Sequence, residues 1–229
     1  MSLKHSYTLI APFYDAAIAR ATHAARARSL SALPTKAGKV LLAGVGTGLD
    51  LPHLPPQHHY VGLDLNQAML CRALPRTGHI DFVPVQGDAQ RLPFADASFD
   101  CAVLHLILAV VPQPAHCFAE IERVLKPGGW LLLSDLHPVS VLIGGTAVFP
   151  DPEAPPGRLS VAHTRNLYHP ISSYIAAFTG AGLRVVDCQE IPMPESAITS
   201  NPVYPLIPDA VTQAFAGMPF ILTWHATKP

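Results

Sequence analysis

Val40-Leu41-Leu42-Ala43-Gly44-Val45-Gly46-Thr47-Gly48 decides the fold, read together with Tyr60-Val61-Gly62-Leu63-Asp64-Leu65, whose aspartate stands sixteen residues after Gly48. An apolar run that ends in three glycines at alternate positions predicts a buried strand entering a tight loop. There the backbone takes conformations closed to residues with a Cβ, and a ligand can approach the bare main chain. The second apolar run ends in a lone carboxylate and reads as the neighbouring parallel strand, with its acid placed to bind a ribose diol. Together they predict a nucleoside-bearing cofactor lying across the carboxyl ends of two parallel strands.

Outward from this pair the pattern alternates. Strands are expected at Lys39 to Ala43, His59 to Asp64, Ile80 to Gln86, Asp100 to Leu104 and Trp130 to Ser134. Between them lie a helix capped by Asn66 and ending near Leu74, and another from Pro114 to Leu125, stopped by a turn at Lys126-Pro127-Gly128-Gly129. Beyond Asp135 the spacing predicts an irregular proline-rich loop from Val148 to Arg158, a helix over Ile171 to Gly180, a strand over Leu183 to Gln189, a short helix near Asp209 to Ala216 and a last strand over Phe220 to Ala226. Strands separated by helices argue for an α/β fold with a parallel sheet covered on both faces. At the start, Tyr7 to about Leu33 predicts one or two helices, broken near Pro12, packed across the cofactor entrance. Arg20, His23, Arg26 and Arg28 recur on or near one face, which suits a solvated basic side or weak association with a membrane surface.

With 229 residues the chain is long enough for one α/β domain with a sizeable core. Its net charge of −1 and its charged fraction of 14% give no basic face for nucleic acid, so no nucleic-acid partner is expected. No apolar run approaches the roughly 20 residues of a membrane span, and the beginning of the chain does not read as a signal peptide. Cys71, Cys101, Cys117 and Cys188 are scattered, as in a reducing compartment, which makes a cytoplasmic location the expectation. The histidines form no HxxxH or HExxH pattern, and no metal site is expected.

The loop Gly44-Val45-Gly46-Thr47-Gly48-Leu49 differs from a dinucleotide fingerprint, because Leu49 stands where the third glycine allows close helix packing. Pro52, Pro55 and Pro56 also shorten the helix that would hold a pyrophosphate. A nicotinamide dehydrogenase is therefore the weakest reading, and a cofactor without phosphates fits better. At this point the chain resembles class I S-adenosylmethionine-dependent methyltransferases, in the small-molecule subgroup described as methyltransferase type 11. The resemblance rests on the ordered series Val40 to Gly48, Val61 to Asp64, Gly87 to Phe94, Ser98-Phe99-Asp100, Arg123 to Gly129 and the terminal strand pair.

The resemblance implies a Rossmann-like three-layer αβα sandwich, with a seven-stranded, mostly parallel sheet whose last strand is antiparallel. It implies one class I methyltransferase domain over residues 1–229, divided into a helical lid (1–35), a cofactor-binding half (36–135) and an acceptor-side half (136–229). Gly44, Val45, Gly46, Thr47 and Gly48 would pass under the methionine moiety of S-adenosylmethionine. Asp64 would take the ribose hydroxyls and Leu65 would lie against the adenine. Asp88 would accept from the adenine amino group, the Ala89 N–H would face a ring nitrogen, and His105 would border the methionyl part. Tyr7 and Tyr14 belong to the segment that folds over the cofactor, Tyr14 as a contact to it. One position departs from the family: the acid usually found two residues before the first glycine is Leu42 here.

Methyl transfer to a protonated, weakly acidic nucleophile needs a general base. His105 and His137, each following one of two adjacent strands, are the expected catalytic residues, and a pocket wall and a loop cap are the plainer roles for them. An acceptor pocket is expected from Tyr7, His137, Phe149, His169, Tyr174 and Tyr204, with Leu206 as a further wall. The leading expectation is methyl transfer to a small, largely apolar acceptor on O, N or C. Ile107 to Pro114 is also similar to bacterial phosphatidylethanolamine N-methyltransferases, which makes a phospholipid headgroup the second expectation. Leu42 motivates a third, a cofactor-binding protein without catalysis. The acceptor atom and the oligomeric state are not written in the sequence.

Overall fold

In the computed structural model the described residues are 3–144, 148–150 and 161–229. Seven strands form the central sheet: β1 (Lys39–Ala43), β2 (His59–Asp64), β3 (Asp81–Gln86), β4 (Phe99–His105), β5 (Leu125–Leu136) and, after a short antiparallel ribbon of β6 (Val148–Pro150) and β7 (Val161–His163), β8 (Arg184–Pro192) and β9 (Pro219–Thr227). Their order is β3-β2-β1-β4-β5-β9-β8. The first five strands are parallel, and β9 runs antiparallel to both β5 and β8. The order of the strands reverses between β1 and β4, which opens a crevice beyond their carboxyl ends.

Strand periodicity divides the core. Leu41 and Ala43 of β1 face one layer with Leu104 and Leu133, while Val40 and Leu42 face the other with Val103 and Leu132. A strand buried on both faces must be apolar throughout, and this is why the first run reads without alternation. The first layer holds α4 (Pro114–Val124) and α6 (Ile171–Gly180), whose Phe118 and Phe178 rings meet edge to face at 4.6 Å between centroids. On the opposite layer, Leu30 closes the core from α2 (Tyr14–Leu30), which follows α1 (Leu3–Ile10) across a break at residues 11–13. The remaining helices are α3 (Gln67–Ala73), α5 (Pro138–Leu142), α7 (Glu195–Thr199) and α8 (Pro208–Phe215).

Two local expectations are corrected, and two short helices were not expected. The Lys126 to Gly129 segment is not a turn before the fifth strand but an irregularity inside it: Phe99 pairs with Leu125 and Cys101 with Trp130, so the extra residues bulge from β5 at Gly128, φ +77°. The stretch read as a wholly irregular loop contains β6, paired with β7 further along the chain. The helices α5 and α7 are too short, at five residues each, to show a period of 3.6 in the sequence. The basic face of α2 also loses a member, because Arg26 turns inward and is buried. No described helix is long and apolar enough to cross a membrane.

Candidate functional site

The loop after β1 is shaped by its glycines. Gly44, Gly46 and Gly48 take φ of +77°, +57° and +77°, the left-handed region that disfavours side chains. Gly44 and Val45 donate their N–H groups to the Leu63 carbonyl of β2 at 2.7 and 3.0 Å, which fixes the loop against the next strand. The N–H of Gly46 is taken by Asp64 Oδ2 at 2.8 Å, and Asp64 Oδ1 accepts from the Asn66 N–H at 2.8 Å. Burial pushes the Asp64 carboxyl above its ordinary range, and the N–H groups of Asn66 and Gly46 offset this only in part. Asn66 caps α3 by accepting from Ala68 and Met69, and its Nδ2 donates to the Lys4 carbonyl and to Thr8 Oγ1. One side chain thus ties α1 to the end of β2.

A cleft opens above this loop. Gly44, Gly46, Asp64, Leu65, Asp88 and Ala89 all line it, with Tyr7 and Tyr14 from the first two helices. Leu65 is 39% exposed there, an apolar face open to a flat partner. The Asp88 carboxylate accepts the Gln90 N–H at 2.8 Å, which sets the turn that follows β3. Bare backbone under the cleft, a carboxylate at the ribose position and an open apolar shelf beyond it fit a nucleoside cofactor. Ile107, Val110, Val111 and Pro112 also line it, a segment to which the sequence reading gave no lining role.

The second helix is anchored to the loop by polar contacts. Thr47 Oγ1 donates to Asp15 Oδ1 at 2.5 Å, and Asp15 also pairs with Arg76. Arg26 pairs with Asp50, whose other oxygen meets His105 Nδ1 at 2.7 Å, and His105 Nε2 meets Ser29 Oγ at 3.0 Å. Burial alone would raise the Asp50 carboxyl, but the charge and hydrogen bond of His105, followed by those of Arg26, hold it at about 2. A carboxyl held below its unfolded value of 3.8 stabilises the fold above that pH and loses the contribution as pH falls towards 2. Urea unfolding between pH 5 and 2 is expected to show this as an acid limb of roughly 2 kcal/mol. The Asp50→Asn chain should lack it, and an unchanged limb would remove the ion pair from the account.

A second cavity of about 720 Å³ adjoins the cleft and shares Tyr7, Tyr14, Leu106 and Val110 with it. Its other walls are largely apolar, from Ile18, Ala21, Ala109 and Phe220, and its one carboxylate among the lining residues is Asp135. Asp135 is 1% exposed, and its oxygens accept the N–H groups of Leu108 at 2.5 Å and Leu136 at 2.7 Å. Burial pushes its carboxyl up to about 6, more than the backbone N–H groups of Leu108, Leu136, Ala109 and Ile107 pull it down. The same burial, with the Asp135 and Asp64 carboxylates nearby, raises the Tyr7 phenol above its ordinary value. Leu106, shared by both cavities, has φ +58°, a conformation in which a bulky side chain is strained and which collects at functional sites. Nothing in the sequence around Leu106 marks it.

The structure brings together most of the expected cofactor residues, though not in one place. Val45, Thr47 and His105 line a smaller third cavity beside the cleft, and Gly48 lines none of the three, serving instead to let α3 approach. The two expected catalytic histidines do not meet. Both His105 nitrogens are engaged as described, while His137 Nδ1 accepts the Val139 N–H at 3.2 Å to cap α5 and its Nε2 contacts Glu190 at 3.1 Å. Neither ring is left with an unpartnered nitrogen for proton transfer. Of the expected acceptor residues, Tyr7 lines both larger cavities. Tyr174 is packed in the core, His169 Nε2 bonds the Val111 carbonyl at 2.9 Å, and Tyr204 lines none of the three cavities. Phe149 lies on β6, and its side chain is outside the described residues. No group of three or more metal-ligating side chains occurs among the described residues.

Residues 41–133 match the protein family described as Methyltransferase domain. A phosphatidylethanolamine N-methyltransferase of Cereibacter sphaeroides is 33% identical over 124 residues, covering 52% of this chain and 61% of that protein. The chain spans less than two thirds of the length of this and the next curated relatives it matches. Among solved structures, a Haloferax volcanii methyltransferase chain, from a complex with the Trm112 methyltransferase activator, superposes with a TM-score of 0.73 at 22% identity, over 97% of both chains. An S-adenosylmethionine-dependent methyltransferase from Mesorhizobium loti superposes with a TM-score of 0.62 at 20% identity, over 87% of this chain and 95% of that one. At these identities the likeness is one of fold.

Proposed function

We propose that this chain, whose residues 41–133 match the family described as Methyltransferase domain, is a class I S-adenosylmethionine-dependent methyltransferase that transfers a methyl group to a small, largely apolar acceptor held in the second cavity. The observation that carries the reading is the junction of the two cavities. A cleft with the glycine loop, Asp64 and Asp88 opens, past Tyr7, Tyr14, Leu106 and Val110, onto a chamber whose walls are mostly apolar. The cofactor, when bound, supplies a methyl group already activated on a sulfonium. The protein's own task is then alignment and exclusion of water, which suits a largely apolar chamber lined in part by the first two helices.

The general base that best fits this chamber is Asp135 rather than either histidine. The backbone N–H groups of Leu108, Leu136, Ala109 and Ile107 hold the carboxylate in place, and it lines the chamber. A carboxylate raised to about 6 is a stronger base than an exposed one and is still ionised at neutral pH. It would take the proton from an acceptor O–H or N–H as that atom bonds to the methyl carbon. Turnover is expected to rise about tenfold per pH unit below pH 6 and to level off above it. Asp135→Asn should lower kcat by on the order of 100-fold and abolish that limb. A variant with the original pH profile would return the base role to a group outside this chamber.

Calorimetric titration with S-adenosylhomocysteine, with NADH in parallel, tests the cofactor class. Saturable binding of the former alone supports the reading, and binding of NADH alone overturns it. The second reading, a phospholipid headgroup as acceptor, is favoured by the similarity to a phosphatidylethanolamine N-methyltransferase and by Leu142 and Ile143, exposed by 64% and 51% at the end of α5. A lipid enzyme should sediment with anionic vesicles and be released by salt. Protein that stays in the supernatant at low salt favours the soluble acceptor.

A further inference from the structure

Leu42 withholds the acid that the glycine loop is expected to carry, and its side chain packs into the apolar core instead. Its side chain is 3% exposed, packed with Val40, Leu51 and Val103 on the far layer of the sheet. A charge is nevertheless present beside the loop. The third, smaller cavity is bounded by Gly44, Gly46 and Tyr14, which also bound the cofactor cleft, so the two adjoin along the loop. Its further walls include Arg26, Asp50 and His105.

We infer that Arg26 and Asp50 together receive the amino-acid end of the cofactor, Asp50 supplying to the α-ammonium the carboxylate that Leu42 does not. The inference rests on the methyltransferase reading and gives that reading its specificity at one end of the cleft. Its ground is complementarity. An α-amino acid is a zwitterion, and Arg26 and Asp50 present the opposite pair of charges side by side: the carboxylate of the ligand against the guanidinium, its ammonium against Asp50. The side chains of Arg26 and Asp50 are only 5% and 17% exposed. Lining a cavity beside the glycine loop, the pair is placed to meet a ligand as well as to hold the fold.

The surrounding bonds hold the pair for this use. His105, expected from the family resemblance to border the methionyl part, spends both ring nitrogens on Asp50 and Ser29 and acts through Asp50 as a positioning residue. Thr22 Oγ1 accepts from Arg26 Nε at 3.2 Å and fixes the plane of the guanidinium, which keeps further N–H groups for a ligand carboxylate. Arg26, Thr22 and Ser29 all belong to α2, whereas Asp50 and His105 follow β1 and end β4. Binding at this end therefore joins the lid helix to the strands on either side of the crevice.

The test is calorimetry with three thioadenosines that share their nucleoside: S-adenosylhomocysteine, its 3-carboxypropyl analogue without the amino group, and its 3-aminopropyl analogue without the carboxylate. The unaltered chain should bind each truncated ligand roughly 10- to 100-fold more weakly than the complete one. In Asp50→Asn the preference over the carboxypropyl analogue should collapse, while the preference over the aminopropyl analogue persists. Arg26→Gln should do the reverse. Equal weakening of all three ligands by Asp50→Asn would make Asp50 a loop support only and overturn the inference. So would an unaltered chain that binds the truncated ligands as well as the complete one, a result that needs no variant to fold. If the unaltered chain binds none of the three, this inference and the methyltransferase reading both fail. If it binds S-adenosylhomocysteine and the variants keep its preferences, this one alone fails.

Discussion

Gly44→Ala is expected to abolish binding of S-adenosylhomocysteine and to lower the melting temperature by on the order of 10 °C. A Cβ at this position would lie 2.6 Å from Ile107 Cγ2 and 3.1 Å from its Cβ, with φ held at +77°. Left-handed backbone costs an L residue about 1–2 kcal/mol, and forced overlap in a packed site adds about 1–3 kcal/mol. Ile107 is branched at Cβ and walls the cofactor cleft, so relief by moving it deforms the site itself. Gly48→Ala should destabilise at least as much, because its Cβ would meet the Ala73 backbone Cα at 2.9 Å, and a helix backbone cannot swing aside. Gly46→Ala gives the internal comparison: nothing lies closer than 4.0 Å to its Cβ, so only the cost of φ +57° remains. Thermal unfolding of the three variants by circular dichroism reads the order directly. Gly46→Ala as unstable as the other two would mean that loop strain, and not close approach, dominates.

Asp64→Ala should weaken S-adenosylhomocysteine by on the order of 1000-fold, and Asp64→Asn by roughly 10- to 100-fold. The carboxylate does two jobs at once. It holds the Gly46 and Asn66 N–H groups at 2.8 Å each, and it faces the cleft where a ribose diol would donate to it. Asparagine keeps one acceptor oxygen but replaces the other with a donor, leaving one backbone N–H opposed by another N–H. Because burial raises the Asp64 carboxyl, acidification protonates it at a higher pH than an exposed aspartate, and affinity should fall correspondingly early. Calorimetry across pH with both variants checks this. An Asp64→Asn chain that binds at full strength would place the ribose elsewhere.

The legibility of this chain depended on how local each signal was. The glycine loop and the carboxylate after β2 were readable because the demand of a left-handed backbone, or of an acid at a strand end, is met by the residue itself. The same holds for Asn66, whose cap is formed with Ala68 and Met69 of its own helix. Histidine was less legible for the converse reason, with the pocket wall and the loop cap both among the roles read for it. His105 and His137 stand at the ends of β4 and β5 as expected, yet the fate of an imidazole depends on what reaches it from elsewhere, here Asp50, Ser29 and Glu190. Arg26 looked like one more cation on a basic face, since a helix sequence does not say which side meets the sheet when its apolar residues are scattered.

By itself the sequence determined a mostly parallel sheet with a glycine-lined cleft at its switch point, because strand period, glycine conformation and caps are each set by neighbours along the chain. Only the tertiary structure decided the charges around that cleft. Arg26 and His105 lie 24 and 55 residues from Asp50, and packing α2 over the ends of β1 and β4 is what brings them together. The raised carboxyl of Asp135 has the same origin. Nothing in Ser134-Asp135-Leu136 distinguishes it from a surface aspartate, and only its removal from water in the packed fold raises its carboxyl.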